Sequence, residues 1–583
     1  SESDFFLMDQ KRLFLAIAIS VAILLGFQFY GPHKPPVSTD TKSTPTGQTE
    51  RPSTDPAFPG TQPLQVQAPV EQRDVPRLKI VAPKVEGTIN LVGARLDDLV
   101  LRDYHEEVST ESPLVRLLEP RVDPQPYYVQ FGWTGDGVAL PGPETVWTAE
   151  GGELAPGKKV NLSWDNKAGQ VFKIGLTVDD NYMFGIEQSV QNNGSAAIKL
   201  YPWSRIRRDY KPLTSGYYIL HEGMLGVLGG TLHEQTYDKA KTESEKTKGA
   251  SLKMETTGGW AGITDKYWLT ALIPDQTVPV TSSFRHVTEN GADRYQVDFV
   301  PDAAQDAAPG AVMTMTSHLF AGAKVVQLLD RYESEYHIPN FDKAVDFGFF
   351  YFLTKPIFYA IDFFYHLTGN FGIAIMLFTV IVKALFFPLA SKSYRSMSKM
   401  KLLAPKMTEI RERLKDEPQK MQSEIMQLYK AEKVNPASGC LPMVVQIPVF
   451  FSLYKVIFVT IEMRHAPFFG WIHDLSAIDP TNIFTLFGLI PWDPTHYSHF
   501  LHLGLWPLIM GCTMFFQQKL NPAPPDPVQA RIFQFMPIIF TFMLSSFPAG
   551  LVIYWSWNNT LTILQQWTIM RRTRLPKPEL ARP

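Results

Sequence analysis

Hydrophobic positions fall into three regimes along the chain. Residues 13–30 form a continuous apolar stretch that follows Lys11 and Arg12 and ends in Phe27, Gln28, Phe29 and Tyr30. From about 76 to 345 the apolar residues come in short alternating runs, among them VNLSWDN, VFKIGLTVDD and DRYQVDFVP, separated by Gly, Asn, Asp and Pro. Beyond 346 long apolar, aromatic segments return. Alternation with a period of two marks half-buried strands, and apolar runs of about 20 residues mark bilayer-spanning helices. The middle regime (76–345) therefore predicts one large antiparallel β-sandwich domain. The flanking regimes predict an α-helical polytopic membrane protein around it.

Charge orders the helical segments. The stretch 391–438 holds eleven Lys/Arg, so it is placed in the cytoplasm. From Met397 to Leu414 its apolar positions recur every three or four residues, KDEPQK marks a turn, and a second helix over about 419–433 completes a predicted helical hairpin. A secretory signal would also begin with basic residues before an apolar core. However, no small-x-small cleavage site follows 13–30, and its aromatic end suits a membrane interface. Residues 1–30 are thus read as an uncleaved anchor starting in the cytoplasm, with Met8 a candidate native start.

With the anchor crossing outward, one span fits between the β-domain and the basic loop, and 369–390 supplies it. That leaves 346–368, interrupted by Lys355, Pro356 and Asp362, as an amphipathic helix on the outer surface. Spans three to six then occupy 439–570, with SSFPAG (545–550) breaking the last long run into a hairpin. TNIFTLFGLIP (481–491) is too short to cross. The expectation is six spans, a basic cytoplasmic tail at 571–583, and both termini inside. Residues 31–75, rich in Pro, Ser, Thr and Gln, cannot bury enough apolar surface to offset their ordering entropy and read as a disordered tether.

Composition removes several function classes. With 55 Lys+Arg against 57 Asp+Glu the chain has no excess of positive charge for sequence-specific nucleic-acid binding. Its two cysteines, Cys440 and Cys512, lie in or beside apolar segments, so no disulfide framework or Cys-based zinc site is available. GELAPGKK (152–159) approaches a phosphate-binding loop, but no Ser/Thr follows Lys159 and the next residues read as a strand. It is a polar turn. No catalytic, cofactor or metal motif emerges.

The unusual chemistry lies inside the spans. Lys383 sits within FTVIVKALFFP, where a charge costs roughly 2.5–3.5 kcal/mol on insertion scales. Thr379 shares its helix face at i−4. Gln446 lies in the third span, and Trp555, Asn559, Thr562 and Gln566 form a helical stripe in the last. Polar groups in lipid face the bundle interior or water, although hydroxyls and amides also simply join helices. No carboxylate in the spans offers Lys383 a partner, so it calls for water from a cavity open to the cytoplasm. Lys383 is expected about eight residues from the inner end of its span, roughly 12 Å along a helix. Lys455, near an outer end, is expected to snorkel. In the cytoplasmic hairpin Met397, Met400 and Met407 lie on one stripe, which suits either packing on a partner helix or an adaptable substrate surface.

LYKAEKVNPASGCLPMVVQIPVFFSLYKVIF, APFFGWIHDLSAIDP and FMPIIFTFMLSSFPAGLVIYWSWNN resemble the YidC family of membrane protein insertases. The resemblance covers the anchor, the external domain and 347–570. It implies a five-helix insertase core in the bacterial inner membrane and a periplasmic β-supersandwich. It also implies a hydrophilic groove, open to cytoplasm and lipid, that receives nascent membrane proteins. The implied partners are those nascent chains, the Sec translocon, the ribosome and the phospholipid bilayer; no enzymatic activity or cofactor is implied. Lys383 stands where the family usually has arginine, keeping the charge but not the planar donor fork. Tyr554 and Trp555 stand at a family tyrosine pair. The insertion WDPTHYSHFLH (492–502) has no counterpart. The competing classes are a secondary transporter, which an inverted repeat would favour and for which none is seen, and a membrane-anchored sugar enzyme, for which polar spans are superfluous.

Overall fold

The computed structural model describes residues 75–214, 220–289, 291–415, 417–434, 441–490, 502–521 and 527–572. The anchor, nearly all of the tether, most of the 492–502 insertion and most of the basic tail lie outside them.

The alternating regime forms two stacked sheets. The eleven-stranded sheet runs from Ala250–Thr257 through Pro279–Glu289, Ala292–Pro301, Ile198–Arg208 and Tyr127–Thr134 to Arg77–Val81 and Glu153–Leu154. The nine-stranded sheet runs from Thr231–Thr236 through Val312–Ala323 and Met183–Asn192 to Thr148–Glu150. Alternation puts Val129, Phe131, Val297 and Phe299 on the inner face of the first sheet. Phe172, Ile174, Phe184 and Ile186 meet them from the second, all within one apolar core. A helix, α1 (Tyr237–Thr247), is capped by Thr236, whose side chain accepts from the Lys239 N–H.

A second helix, α2 (Val326–Glu335), leaves the sandwich and leads to α3 (Tyr351–Thr368). The inner face of α3 buries Ile357, Phe358 and Ile361, whereas Phe352, Phe363 and Leu367 on the other side are exposed. An apolar row that is left open on one face while the other is packed suits a lipid boundary. Lys355, which would be costly in that setting, turns back to Asp330 at 2.8 Å and to Asp342.

The β-domain and the helical region are joined at several polar points. Val326 N–H, at the uncapped start of α2, donates to Glu462 Oε1 (3.0 Å). The Gln327 side chain donates to Asp362 (2.6 Å). Arg464 donates to the carbonyls of His105 (2.6 Å) and Glu106 (3.0 Å), and Tyr267 to Ser476 (3.3 Å). Lys455, expected to snorkel, instead forms an ion pair with Asp346 at 2.9 Å. Sequence could not show that pairing, because the partner lies on the segment between the β-domain and α3.

The helical region continues as α4 (Phe371–Leu385), α5 (Phe387–Arg413), α6 (Pro418–Ala431), α7 (Leu441–Val459), α8 (Leu505–Leu520), α9 (Pro527–Leu544) and α10 (Ala549–Arg572). Among the described residues no single helix is long and apolar enough to cross a membrane. The pair α4–α5 passes that test jointly but is bent by 66°. Pro388 near the start of α5 accounts for the bend, since proline disfavours helical geometry in the residue before it and donates no backbone hydrogen bond. The bend shortens α4 from the expected span of 369–390 and leaves Lys383 two residues from its end rather than eight.

Where α8 meets α9 the helices approach closely: a Cβ on Gly511 would lie 2.0 Å from Thr541 Oγ1. Such contacts depend on small residues, because packing rather than hydrophobic exclusion joins helices in lipid. Gly511→Leu is expected to cost about 1–3 kcal/mol by overpacking, read as a lower midpoint of thermal unfolding in detergent. An unchanged midpoint would show that α8 and α9 can separate freely.

Candidate substrate groove

Lys383 occupies the last turn of α4 and reaches across to α10, where its Nζ donates to Thr562 Oγ1 at 2.8 Å. Thr562 in turn donates its hydroxyl to the Asn558 carbonyl at 2.7 Å, so the lysine meets an oxygen lone pair. Lys383 is half-buried, and among the described residues no carboxylate forms an ion pair with it. Beside it on α4, Val380, Ile381 and Leu385 are exposed and suit lipid. The arrangement keeps a cation at an apolar boundary with one neutral hydroxyl for company. Water or an anionic group can complete its donors.

The other expected site residues divide between two neighbourhoods. Thr379 is 2% exposed and spends its hydroxyl on the Ile375 carbonyl at 2.7 Å. Its oxygen is turned into the helix bundle, and the acceptor that Lys383 meets is Thr562 instead. Gln446 on α7 donates its amide to the hydroxyl of Tyr554, which is buried on α10. Tyr554, Asn558 and Thr562 are spaced i, i+4, i+8, so a single face of α10 carries the groups that meet Gln446 and Lys383. Asn558 was not among the expected site residues, although its spacing was visible; its Oδ1 is enclosed without a hydrogen-bond donor.

The stripe of Trp555, Asn559, Thr562 and Gln566 does not act as one surface. Asn559 donates to Thr513 on α8 at 3.2 Å, and Gln566 donates to Asn521 just beyond α8 at 3.1 Å. Trp555 sets its ring against Phe450 at a centroid distance of 4.6 Å and against Phe540 at 6.1 Å. These three side chains hold α10 against α7, α8 and α9, and only Thr562 turns to Lys383. Trp557, also outside the expected set, donates to the Met376 carbonyl at 3.1 Å and ties α10 to α4.

The methionine stripe is similarly divided. Met397 is buried with Ala390, Tyr394 and Ile569 of α10, and Met400 packs partly against the same cluster. Met407 is buried with Leu403 and Val434, and the hydroxyl of Tyr429 contacts its sulfur at 3.3 Å. In this conformation the stripe is the hairpin's own core and its seat on α10.

The Gln446–Tyr554 pair makes a simple test of this geometry. Tyr554→Phe leaves the Gln446 amide without its acceptor and is expected to cost about 1–3 kcal/mol, measured as thermal stability in detergent. A variant as stable as the parent would mean that water replaces the hydroxyl.

Two family models match the chain. One, described as "60Kd inner membrane protein", covers residues 363–577, and one described as "YidC periplasmic domain" covers 77–360. Among curated relatives, the membrane protein insertase YidC of Granulibacter bethesdensis is 61% identical over 99% of this chain and 100% of its own length. That of Acidiphilium cryptum is 55% identical over 85% of each chain. That of Methylorubrum extorquens is 50% identical over 97% of this chain and 95% of its own.

Proposed function

Because the chain belongs to the YidC family of membrane protein insertases, we propose that it inserts nascent proteins into the bacterial inner membrane through the polar recess between α4, α7 and α10. The observation that carries this reading is Lys383, a cation in an apolar setting whose contact is the neutral hydroxyl of Thr562. Such a site attracts acidic or hydrated parts of a translocating segment. The segment's own apolar residues then drive its transfer to lipid, where their contact with water is lost. No covalent step is needed.

The rest of the reading follows from topology and charge. Six spans with both termini in the cytoplasm put the β-domain in the periplasm and the basic hairpin of α5 and α6 where a nascent chain arrives. The hairpin reaches substrate with Met397 and Met407 only after it opens, since both are buried when it is closed, whereas half-buried Met400 is partly accessible already. Work alongside the Sec translocon and near the ribosome belongs to the same proposal. A photoreactive residue at Gln446 or Asn558 should crosslink to ribosome-stalled membrane-protein chains, and one at exposed Phe516 on α8 should not. Equal crosslinking from all three positions would remove the recess as the path.

A further inference from the structure

Beyond α7 the chain makes a tight turn over residues 483–490 that insertion chemistry does not use. Its base is firmly built. Asn482 Oδ1 accepts from Phe484 N–H (3.1 Å), and the Asn482 carbonyl accepts from Phe487 N–H (3.0 Å). The Thr485 carbonyl accepts from Gly488 N–H (3.1 Å) and Ile490 N–H (3.0 Å). The base is also fastened to the first turn of α8, because Thr481 Oγ1 accepts from Leu505 N–H (2.9 Å) and Asp479 Oδ2 from Trp506 N–H (2.9 Å). The turn therefore has a fixed place at the outer end of that helix.

Its tip runs against two rules of water-exposed loops. Leu486 and Phe487 are both held in the left-handed region, at φ +47° and +59°, where a bulky side chain is strained. Glycine or asparagine would relieve the strain. Both side chains nevertheless point outward, 54% and 55% exposed, and Leu489 beside them is 82% exposed. Residues 480–492 contain no charged side chain. A strained backbone that displays large apolar groups is a feature of a site with a function to meet. Below the turn, α8 continues the apolar surface with exposed Ile509, Phe515 and Phe516.

We propose that the tip formed by Leu486, Phe487, Leu489 and Ile490 is seated in the acyl-chain edge of the outer leaflet, as a second interfacial anchor besides α3. The proposal rests on the reading of the helices as membrane spans. Groups of this kind enter the boundary by about 5–10 Å, and the hydrogen-bonded base keeps their backbone polar groups satisfied there. The strained conformation then has a clear use: it aims consecutive side chains into lipid from a segment too short to cross.

The test is nitroxide accessibility in proteoliposomes, with the full chain carrying Cys440→Ser and Cys512→Ser. Labels are placed at Leu489→Cys, at exposed Leu564→Cys on α10 as the span reference, and at exposed Lys253→Cys in the β-domain as the water reference. Relaxation of the Leu489 label should respond to oxygen and lose its response to a water-soluble nickel chelate, matching Leu564. Should Leu489→Cys fail to accumulate, Ile490→Cys carries the label. A Leu489 label that follows Lys253 overturns the anchor while leaving the spans intact. A label shielded from both reagents also overturns it, by showing that a protein covers the tip. Nickel access at Leu564 would overturn the span reading itself.

Discussion

Lys383→Met is expected to reduce insertion of a substrate with an acidic external tail about tenfold, a loss of about 1.4 kcal/mol, while a matched neutral-tailed substrate inserts nearly as before. Opposite charges about 4 Å apart attract by roughly 4 kcal/mol at the effective dielectric of a protein surface, so a tenfold effect allows for a site that is partly wet. Charge should matter more than shape: Lys383→Arg is expected to be almost silent and Lys383→Glu worse than Lys383→Met. The membrane potential adds about 2.3 kcal/mol per charge per 100 mV, and a positive site concentrates the acidic tails on which it acts. The bond to Thr562 Oγ1 supplies the contrasting case. If Lys383 only joins α4 to α10, Thr562→Val should damage insertion as much as Lys383→Met, whatever the tail. The measurement is insertion of the matched pair at equal levels of folded variant. Equal handling of both tails by Lys383→Met and the parent would remove the electrostatic role.

Raising the pH through neutrality is expected to loosen the joint between the β-domain and the helices. Glu462 lies just outside α7 and is half-buried as a residue, but its Oε2 is enclosed without a donor. Burial pushes its carboxyl from the ordinary 4.5 up to about 7, and nearby Asp362 adds to the rise. Tyr104 faces it from the β-domain. An acid whose folded value is raised favours the folded state while it holds its proton. The contribution is complete below about 4.5 and is lost as pH rises through about 7. The difference is worth about 3 kcal/mol at most. Glu462→Gln, neutral throughout and still able to accept the Val326 N–H, is expected to flatten this dependence and to be the more stable protein at pH 8. Thermal unfolding in detergent at pH 5, 6, 7 and 8 reads it. The same slope in variant and parent would clear Glu462 of the effect.

The division into β-domain and helices was legible because alternation and continuous apolar runs are local properties. So was α3 as a separate helix, because Lys355, Pro356 and Asp362 interrupt its apolar run. The break after Leu385 was legible too, had Pro388 been given its full weight. Partnerships were not. A stripe on α10 shows which residues share a face, but not that Asn559 and Gln566 look to Thr513 and Asn521 while Thr562 looks to Lys383. Gln446 with Tyr554 and Lys455 with Asp346 each join residues roughly a hundred positions apart, and no periodicity reports that. The methionine stripe was equally visible as a stripe. The burial of Met397 depends on Ile569, 172 residues later, and that of Met407 on Val434 beyond the second helix.

The joint also sets a timetable for the protein's own birth. Arg464 holds the carbonyl of His105 across 359 residues of sequence. At roughly 5–20 residues per second, a ribosome needs about 20–70 s to bridge that interval. The last strand of the sandwich ends at Ala323, 141 residues before Arg464, so for about 7–28 s at that rate the β-domain must stand as an independently folded body before the segment that will grip it exists. Its closed apolar core makes that wait tolerable. Docking is then a late event, and a chain halted before Arg464 should present a native but unfastened β-domain.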